Sequence, residues 1–295
     1  MGDDEWNTVA HDVIDAIRSL GNIHRLEILL ALDRVEQEHQ KPRYSLSFSE
    51  LYDQVDIDST SQFSYHLNQL VGQFISETPA GYRLSYSGNK IVRVILSGSY
   101  ESAATFEETE VSGSCIFCES ATLVALVEEE LFRIRCGTCD AILVTDFIPQ
   151  SQSRGRTVEG IIDSYGYRLW SMALQLRGGV CPECFGQVEK HVDTYEQNDN
   201  SLYIHVNRCR ECQYIITLPV EIAVALHPAV LYALTNHDLP VLDIPLWEFF
   251  EYVTTGVLST NIITEDPFKA RCDVTLPNQT LTLAIEDVDQ VSLIS

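Results

Sequence analysis

The sequence predicts an α+β protein in which an N-terminal helical domain precedes a C-terminal region of metal-bound β-hairpins. Apolar residues recur at helical spacing through most of the first hundred residues, and eight of the nine cysteines form four Cys-x-x-Cys pairs in the remainder. The predicted divisions are a DNA-binding domain over 1–98, a linker over 99–113, a first zinc ribbon over 114–150, and a long helix, second zinc ribbon and α+β region over 151–295.

Helices and one hairpin account for the first domain. Ser47-Phe-Ser-Glu50 and Ser59-Thr-Ser-Gln62 have the form of capping boxes, which open a short helix and a longer one running to about Val71. Alternating residues on either side of the turn at 78–81 predict a β-hairpin. Two helices joined by a short turn and followed by a hairpin describe a winged helix-turn-helix.

The helix after Ser59 is the recognition helix by position. Its outer face carries amides and hydroxyls, which can pair with base edges in the major groove. Any surface helix is polar outside, and winged helices also bind proteins. No carboxylate occurs between Ser59 and Leu70, however, and this favours DNA. The residues predicted to contact DNA are Ser61, Gln62, Ser64, Tyr65, His66, Asn68 and Gln69 from the helix and Arg83 from the hairpin.

The cysteine pairs group in two sets of four. Two Cys-x-x-Cys turns separated by a hairpin aim four thiolates at one point, which is the closed ligand shell of a zinc ribbon. Disulfides are not expected, because the N-terminus is acidic where a signal peptide would be basic. We predict two zinc ions per chain, with iron in the same cage as the alternative. The ligands are Cys115, Cys118, Cys136 and Cys139 for one ion, and Cys181, Cys184, Cys209 and Cys212 for the other.

The composition is strongly acidic. The formal net charge is −24, and the acidic residues are spread over all 295 residues rather than collected in a tail. Lysine is scarce, and arginine supplies most of the positive charge. This balance resembles that of proteins from salt-loving archaea, because concentrated salt screens the repulsion between carboxylates. No apolar run is long enough to span a bilayer, so no membrane partner is expected.

Four segments of the first domain resemble the ArsR-like winged-helix regulators of haloarchaeal type, and the cysteine-rich remainder resembles the zinc-ribbon region fused to such regulators. The resemblance implies homodimeric, sequence-specific binding to double-stranded DNA and control of transcription. The cysteine pair that senses metal in founding members is missing, since no cysteine precedes Cys115. The four segments are Leu20-Gly-Asn-Ile-His-Arg-Leu-Glu-Ile-Leu29, Ser47-Phe-Ser-Glu-Leu51, Phe63-Ser-Tyr-His-Leu-Asn-Gln-Leu70 and Gly81-Tyr-Arg-Leu-Ser-Tyr-Ser-Gly88.

These observations predict a cytoplasmic, dimeric transcriptional regulator, with a small-molecule effector left open. The rival prediction is a winged-helix and zinc-ribbon adapter that binds proteins of the basal transcription machinery. An enzyme is not expected. The sequence contains no hydrolase elbow, phosphate loop or dinucleotide fingerprint, and a closed zinc shell has no position at which to activate water.

Overall fold

The computed structural model describes residues 11–101, 105–197, 200–286 and 290–294. The chain divides into two compact units, Met1–Glu101 and Ser102–Ser295, called unit 1 and unit 2 below. Unit 1 is mainly helical, and unit 2 contains three antiparallel sheets with helices packed against them. The α+β class, with helices first and sheets later, is therefore confirmed. None of the described helices combines the length and apolar character needed to cross a membrane.

Unit 1 consists of helices packed around one apolar core. Four of its helices begin at a side-chain cap, because Asn22, Ser47, Ser59 and Ser85 each accept a hydrogen bond from a backbone amide two or three residues further on. The helices are α1 His11–Leu20, α2 Ile23–His39, α3 Phe48–Tyr52, α4 Thr60–Asn68 and α5 Tyr86–Ser97.

The core of unit 1 lies between α2, α3 and α4. Phe63 of α4 is fully buried, and its ring meets the ring of Phe48 edge-on at 4.9 Å between centroids. Ile28 and Leu29 of α2 are also fully buried. Burial of each such side chain stabilises the fold by roughly 1.5–3 kcal/mol. The inner face of α4 is thus fixed by packing, and its outer face is left to solvent.

A two-stranded hairpin, β1 Ile75–Thr78 and β2 Gly81–Leu84, follows α4. Tyr82 exchanges backbone hydrogen bonds with Leu46, at 2.7 and 2.9 Å between nitrogen and oxygen, which ties the hairpin to the segment before α3. Gly81 has a φ of +114°, and a Cβ there would lie 2.2 Å from the Leu46 carbonyl oxygen. The turn therefore requires glycine at this position.

Two details of the predicted helices differ from the structure. The helix expected to run to about Val71 ends at Asn68, because the Leu70 amide bonds the carbonyl three residues back and tightens the last turn. The expected capping box at Ser59 is only half formed. Its hydroxyl accepts from the Gln62 amide, but among the described contacts the Gln62 side chain does not reach back.

Unit 2 begins with two antiparallel sheets, each of which carries one group of four cysteines. The first has strands in sequence order, and β3 lies inside the segment predicted as a linker, where it pairs with β4. Its strands are β3 Phe106–Val111, β4 Leu123–Glu128, β5 Leu131–Cys136 and β6 Ile142–Phe147. The second sheet consists of β7 Val188–Gln197, β8 Asn200–Cys209 and β9 Ile215–Pro219.

A third sheet closes unit 2, and Cys272, the cysteine outside the four pairs, is fully buried in its second strand. The strands are β10 Leu258–Thr264, β11 Lys269–Leu276, β12 Gln279–Glu286 and β13 Gln290–Leu293. The helices of unit 2 are α6 Gln150–Ser153, α7 Val158–Arg177, α8 Val220–Ala225, α9 Pro228–Thr235 and α10 Phe250–Thr254.

One continuous core joins the three sheets and α7. Tyr165 of α7 stacks on Phe132 of β5 at 4.0 Å between ring centroids. Trp170 donates its indole N–H to the Ile244 carbonyl oxygen at 2.8 Å, which binds α7 to the segment before α10. The two cysteine groups are consequently parts of a single packed unit.

Candidate functional site

The four Cys-x-x-Cys segments share one backbone conformation. In each, the amide of the first cysteine donates to the carbonyl five residues further on, at 2.9 Å in all four. The residue after each second cysteine has a φ between +57° and +64°, in the left-handed region. Side chains other than glycine, asparagine and aspartate rarely adopt this φ, so its repetition is a feature of the turn itself. The four residues are Glu119, Asp140, Phe185 and Gln213.

These turns bring the cysteine sulfurs together in two groups, as the spacing predicted. In the first group, Sγ of Cys115 lies 3.7 Å from Sγ of Cys139, and Sγ of Cys118 lies 3.6 Å from Sγ of Cys136. In the second group, Cys181 and Cys212 are 3.7 Å apart, and Cys184 and Cys209 are 3.4 Å apart. Within each group all four sulfurs lie within 4.8 Å of one another.

These separations fit a metal ion better than a disulfide. A disulfide places sulfurs about 2.05 Å apart. A tetrahedral zinc ion with bonds of about 2.3 Å separates its sulfur ligands by about 3.8 Å. Each group can therefore hold one metal ion and is compatible with zinc. Gly186 supports the second group, since a Cβ there would lie 3.1 Å from the sulfurs of Cys184 and Cys209.

Backbone amides stabilise thiolates in both groups. Burial opposes ionisation of Cys136, but the amides of Cys139 and Thr138 donate to its sulfur and lower its pKa to about 6. The pKa of Cys209 is lowered to about 7 in the same way, against burial, by the amides of Cys212 and Glu211. Burial instead raises the pKa of Cys115 to about 12. Metal binding must displace protons from such a thiol, so metal affinity should fall at low pH.

The residues predicted to contact DNA lie on α4 and the hairpin of unit 1. Ser61, Gln62, Tyr65, Asn68 and Gln69 are exposed along α4 and its C-cap, and Tyr65 keeps 61% of its surface. Ser64 is half-buried on the same helix, and Arg83 is half-buried on β2. The exposed residues form one uncharged polar face, which we call the α4 face.

His66 does not belong to that face. Its side chain is only 7% exposed, and its ring lies 5.3 Å from the ring of His24 at the start of α2. Burial lowers the pKa of His66, and the neighbouring positive charges of His24 and Arg25 lower it further. The helical spacing placed His66 at the edge of the polar face, and the inward approach of α2 buries it.

The sequence analysis predicted Arg83 as a DNA contact but did not single out Arg25, which lies on α2 near His66. Arg25 and Arg83 each have a buried Nε atom that makes no hydrogen bond, and neither has a carboxylate partner among the described residues. Arg25 stands close enough to His66 to disfavour its protonation. No local signal in the sequence relates Arg25 of α2 to α4, because the two helices are separate segments of the chain. Only the packing of α2 against α4 brings Arg25 near α4.

Two family models match the chain, one within each unit. Residues 112–291 match the family described as Domain of unknown function (DUF7351). The chain belongs to the DUF7351 family. Residues 13–95 match a second family, described as Domain of unknown function (DUF7347). The DUF7351 match includes all eight paired cysteines, and the DUF7347 match includes α2 to β2. No curated protein and no solved structure matches the chain.

Proposed function

We propose that this protein is a sequence-specific DNA-binding transcriptional regulator. Unit 1 is a winged helix-turn-helix that binds double-stranded DNA as a homodimer, with α4 in the major groove and the β1–β2 hairpin as the wing. Unit 2 holds two zinc ions, one in each cysteine group, and these ions keep its first two sheets folded. The resemblance of the first domain to ArsR-like regulators supports the proposal.

The α4 face is the observation that carries this proposal. Five exposed polar residues lie along α4 and its C-cap. None of them is acidic, although the net charge of the chain is −24. A solvated surface of this protein would be expected to carry carboxylates, as the rest of the chain does. A surface that approaches phosphates must exclude them, because each carboxylate would repel the DNA backbone. Asn68 and Gln69 can make paired hydrogen bonds to adenine.

Positive charge around α4 gives further support. Arg25 lies on α2 near His66, and Arg83 lies on the adjoining hairpin. We infer that both contact backbone phosphates beside the groove. Few such cations exist in unit 1, and the expected number of phosphate contacts is small. We therefore expect a shallow dependence of DNA affinity on salt, since each neutralised phosphate contributes about 0.9 to the slope of log K against log salt.

The test is selection from a random pool of double-stranded DNA by the full-length, zinc-loaded protein at about 1 M potassium chloride, where the screening length is about 3 Å. The proposal expects one enriched sequence with two half-sites about one helical turn apart, as a dimer requires. The Asn68→Ala protein, selected in parallel, should enrich a degenerate or weaker site. Enrichment of no sequence, together with copurification of RNA polymerase from the host, would favour the adapter instead.

A further inference from the structure

A cavity of about 510 Å³ lies in unit 2 between the first two sheets. Every residue of β6 and every residue of β9 lines it, and each of these strands is the edge of its sheet. Leu246 and Phe250, which are nearly fully buried, form its floor with Met172 of α7. The cavity therefore extends from two unpaired sheet edges down to the core.

The walls of this cavity differ in composition from the rest of the protein. Among the described residues 22 line it, and only Asp146 of these carries a charge, although 21% of the chain is charged. Ile142, Phe147 and Ile215 line it and keep 41%, 64% and 52% of their surfaces exposed. Exposing such apolar side chains beside an apolar cavity costs free energy, and a ligand that covers them would recover it.

The single charge in the cavity is already neutralised by the protein. Asp146 Oδ1 accepts a hydrogen bond of 2.8 Å from the Tyr214 hydroxyl, and Oδ2 lies 3.1 Å from Nη2 of Arg168. A charged ligand would thus find no free counter-ion among the described lining residues. The Tyr214 oxygen retains a lone pair, and the edges of β6 and β9 present backbone amides and carbonyls.

We propose that this cavity binds a small, neutral and largely apolar molecule that carries a few hydrogen-bonding groups. The volume lies within the roughly 300–1,000 Å³ of small-molecule sites, and the apolar lining with a few convergent polar groups is typical of them. The depth of the cavity favours a small molecule over a peptide strand. A peptide strand would pair along β6 or β9 and would not reach the residues at the bottom of the cavity. The cavity lies within unit 2 and the proposed DNA-binding face lies within unit 1, and ligand binding to the cavity does not depend on the proposed function.

Both cysteine groups contribute to this site. Ile116 and Phe117, which lie between Cys115 and Cys118, line the cavity, and the ring of Phe117 lies 5.9 Å from the ring of Tyr195 on β7. Tyr214 follows Cys212 by two residues and also lines the cavity. The cysteine turns of both groups thus contribute residues to the cavity wall, and loss of the proposed metal ions should weaken ligand binding.

The experiment is fluorescence titration of the full-length, zinc-loaded protein with N-phenyl-1-naphthylamine, a neutral apolar dye. Its sulfonated analogue, 8-anilinonaphthalene-1-sulfonate, has the same ring skeleton and one negative charge. We expect saturable binding of one neutral dye per chain, with the sulfonated dye at least tenfold weaker. Ile215→Asp places a charge at the mouth and should weaken the neutral dye at least tenfold. Ile263→Asp is the matched control, because Ile263 is an exposed strand isoleucine outside the cavity.

A second variant, Thr217→Trp, fills the cavity from an exposed position of β9 and should also abolish binding if Ile215→Asp impairs folding. The proposal is overturned if neither dye saturates, if both dyes bind equally, or if both Asp variants lose binding to the same extent. It is also overturned if dye affinity falls as protein concentration rises, because a second copy of the chain would then cover the cavity.

Discussion

The arginines of the two units are used differently. Each of the nine arginines of unit 2 donates to a carboxylate, amide or carbonyl oxygen within that unit. Of the six arginines of unit 1, only Arg18 has a carboxylate partner among the described residues. Both units are acidic, so a shortage of carboxylates does not explain the contrast. Unit 2 pairs all its arginines internally, whereas five of the six arginines of unit 1 have no carboxylate partner among the described residues.

The cores of the two units also differ. Unit 1 buries a continuous apolar core beneath α2 and α4 and contains no cysteine. Unit 2 begins with two small sheets, each of which carries one group of four cysteines in its turns. All three of its sheets pack on one core. We therefore expect unit 1 to fold without metal and unit 2 to depend on it.

Removal of metal should have the largest effect of the changes considered, and it should destabilise unit 2 but not unit 1. Structural zinc contributes on the order of 10 kcal/mol or more to folding of such sites. Cys184→Ser, or a strong chelator, should therefore unfold the second sheet and loosen the core of unit 2. Unit 1 should keep its helices and its affinity for DNA. Elemental analysis should find two zinc ions per wild-type chain, and hydrogen exchange should report each unit separately.

The matched control for this experiment is Cys272→Ser, because Cys272 is buried but belongs to neither metal group. It should keep both ions and lose only modest stability. A well-folded, metal-free unit 2 would contradict the comparison of the two cores.

Truncation of the α4 face should have the next largest effect. Asn68→Ala should weaken binding to the selected DNA by roughly 1–3 kcal/mol, the value of a lost paired contact to a base. Its thermal stability should barely change, since Asn68 is exposed. Gln37→Ala removes an exposed amide from the distant end of α2 and serves as the control. Equal affinities of these two proteins in fluorescence anisotropy would mean that α4 does not contact the bases.

Glu221 is a buried carboxyl of unit 2, and it has no basic partner among the described residues. Burial raises the pKa of this α8 carboxyl, and the nearby Thr260 hydroxyl only partly offsets the effect. The folded state binds this proton more tightly than the unfolded state does, so stability is lost as pH rises above the ordinary carboxyl pKa of about 4.3. Glu221→Gln should match wild type near pH 4 and become more stable than wild type towards pH 8, by about 1–3 kcal/mol.

Thermal melts of both proteins across this pH range measure the difference, with the exposed Glu286→Gln as the control. A constant gap between Glu221→Gln and wild type at all pH values would show that the carboxyl does not titrate within the fold.

Substitution of single arginines should give the smallest effects. It should also distinguish most clearly between the arginines of unit 1 and those of unit 2. Arg83→Gln in unit 1 should lower the salt slope of DNA binding by about one and leave stability unchanged. Arg271→Gln in unit 2 removes an ion pair of 3.0 Å to Asp273 on the outer face of β11 and should cost at most about 1 kcal/mol, with DNA affinity unaffected. The reverse pattern would show that the arginines of unit 1 are ordinary solvated side chains.

Much of the fold was predictable because local signals agree with it. Serine caps fixed the starts of α3 and α4, and the Cys-x-x-Cys spacing fixed both metal groups. The spacing could not reveal that the two sheets carrying these groups pack on one core with α7, because those contacts join distant segments. The strand β3 was missed because half of the residues in Phe106–Val111 are acidic, which is typical of a linker, yet the strand pairs along β4.

The cavity was not predictable for a similar reason. Its walls come from two sheet edges whose separation depends on packing against α7, and no local pattern records that distance. His66 was misplaced because helical spacing shows which way a side chain points but not which neighbour covers it. Long-range packing is thus the part of this fold, and of its candidate sites, that the sequence did not disclose.

We assign DNA binding to unit 1 and metal binding to unit 2. The most direct test of this assignment is hydrogen–deuterium exchange of the full-length protein with and without the DNA selected from the random pool. We predict slowed exchange in residues 60–69 and 81–84 of unit 1 and no change in the cysteine turns of unit 2. Protection of the cysteine turns, with α4 and the hairpin unaffected, would contradict it, because the metal-bound sheets would then be the DNA-binding surface.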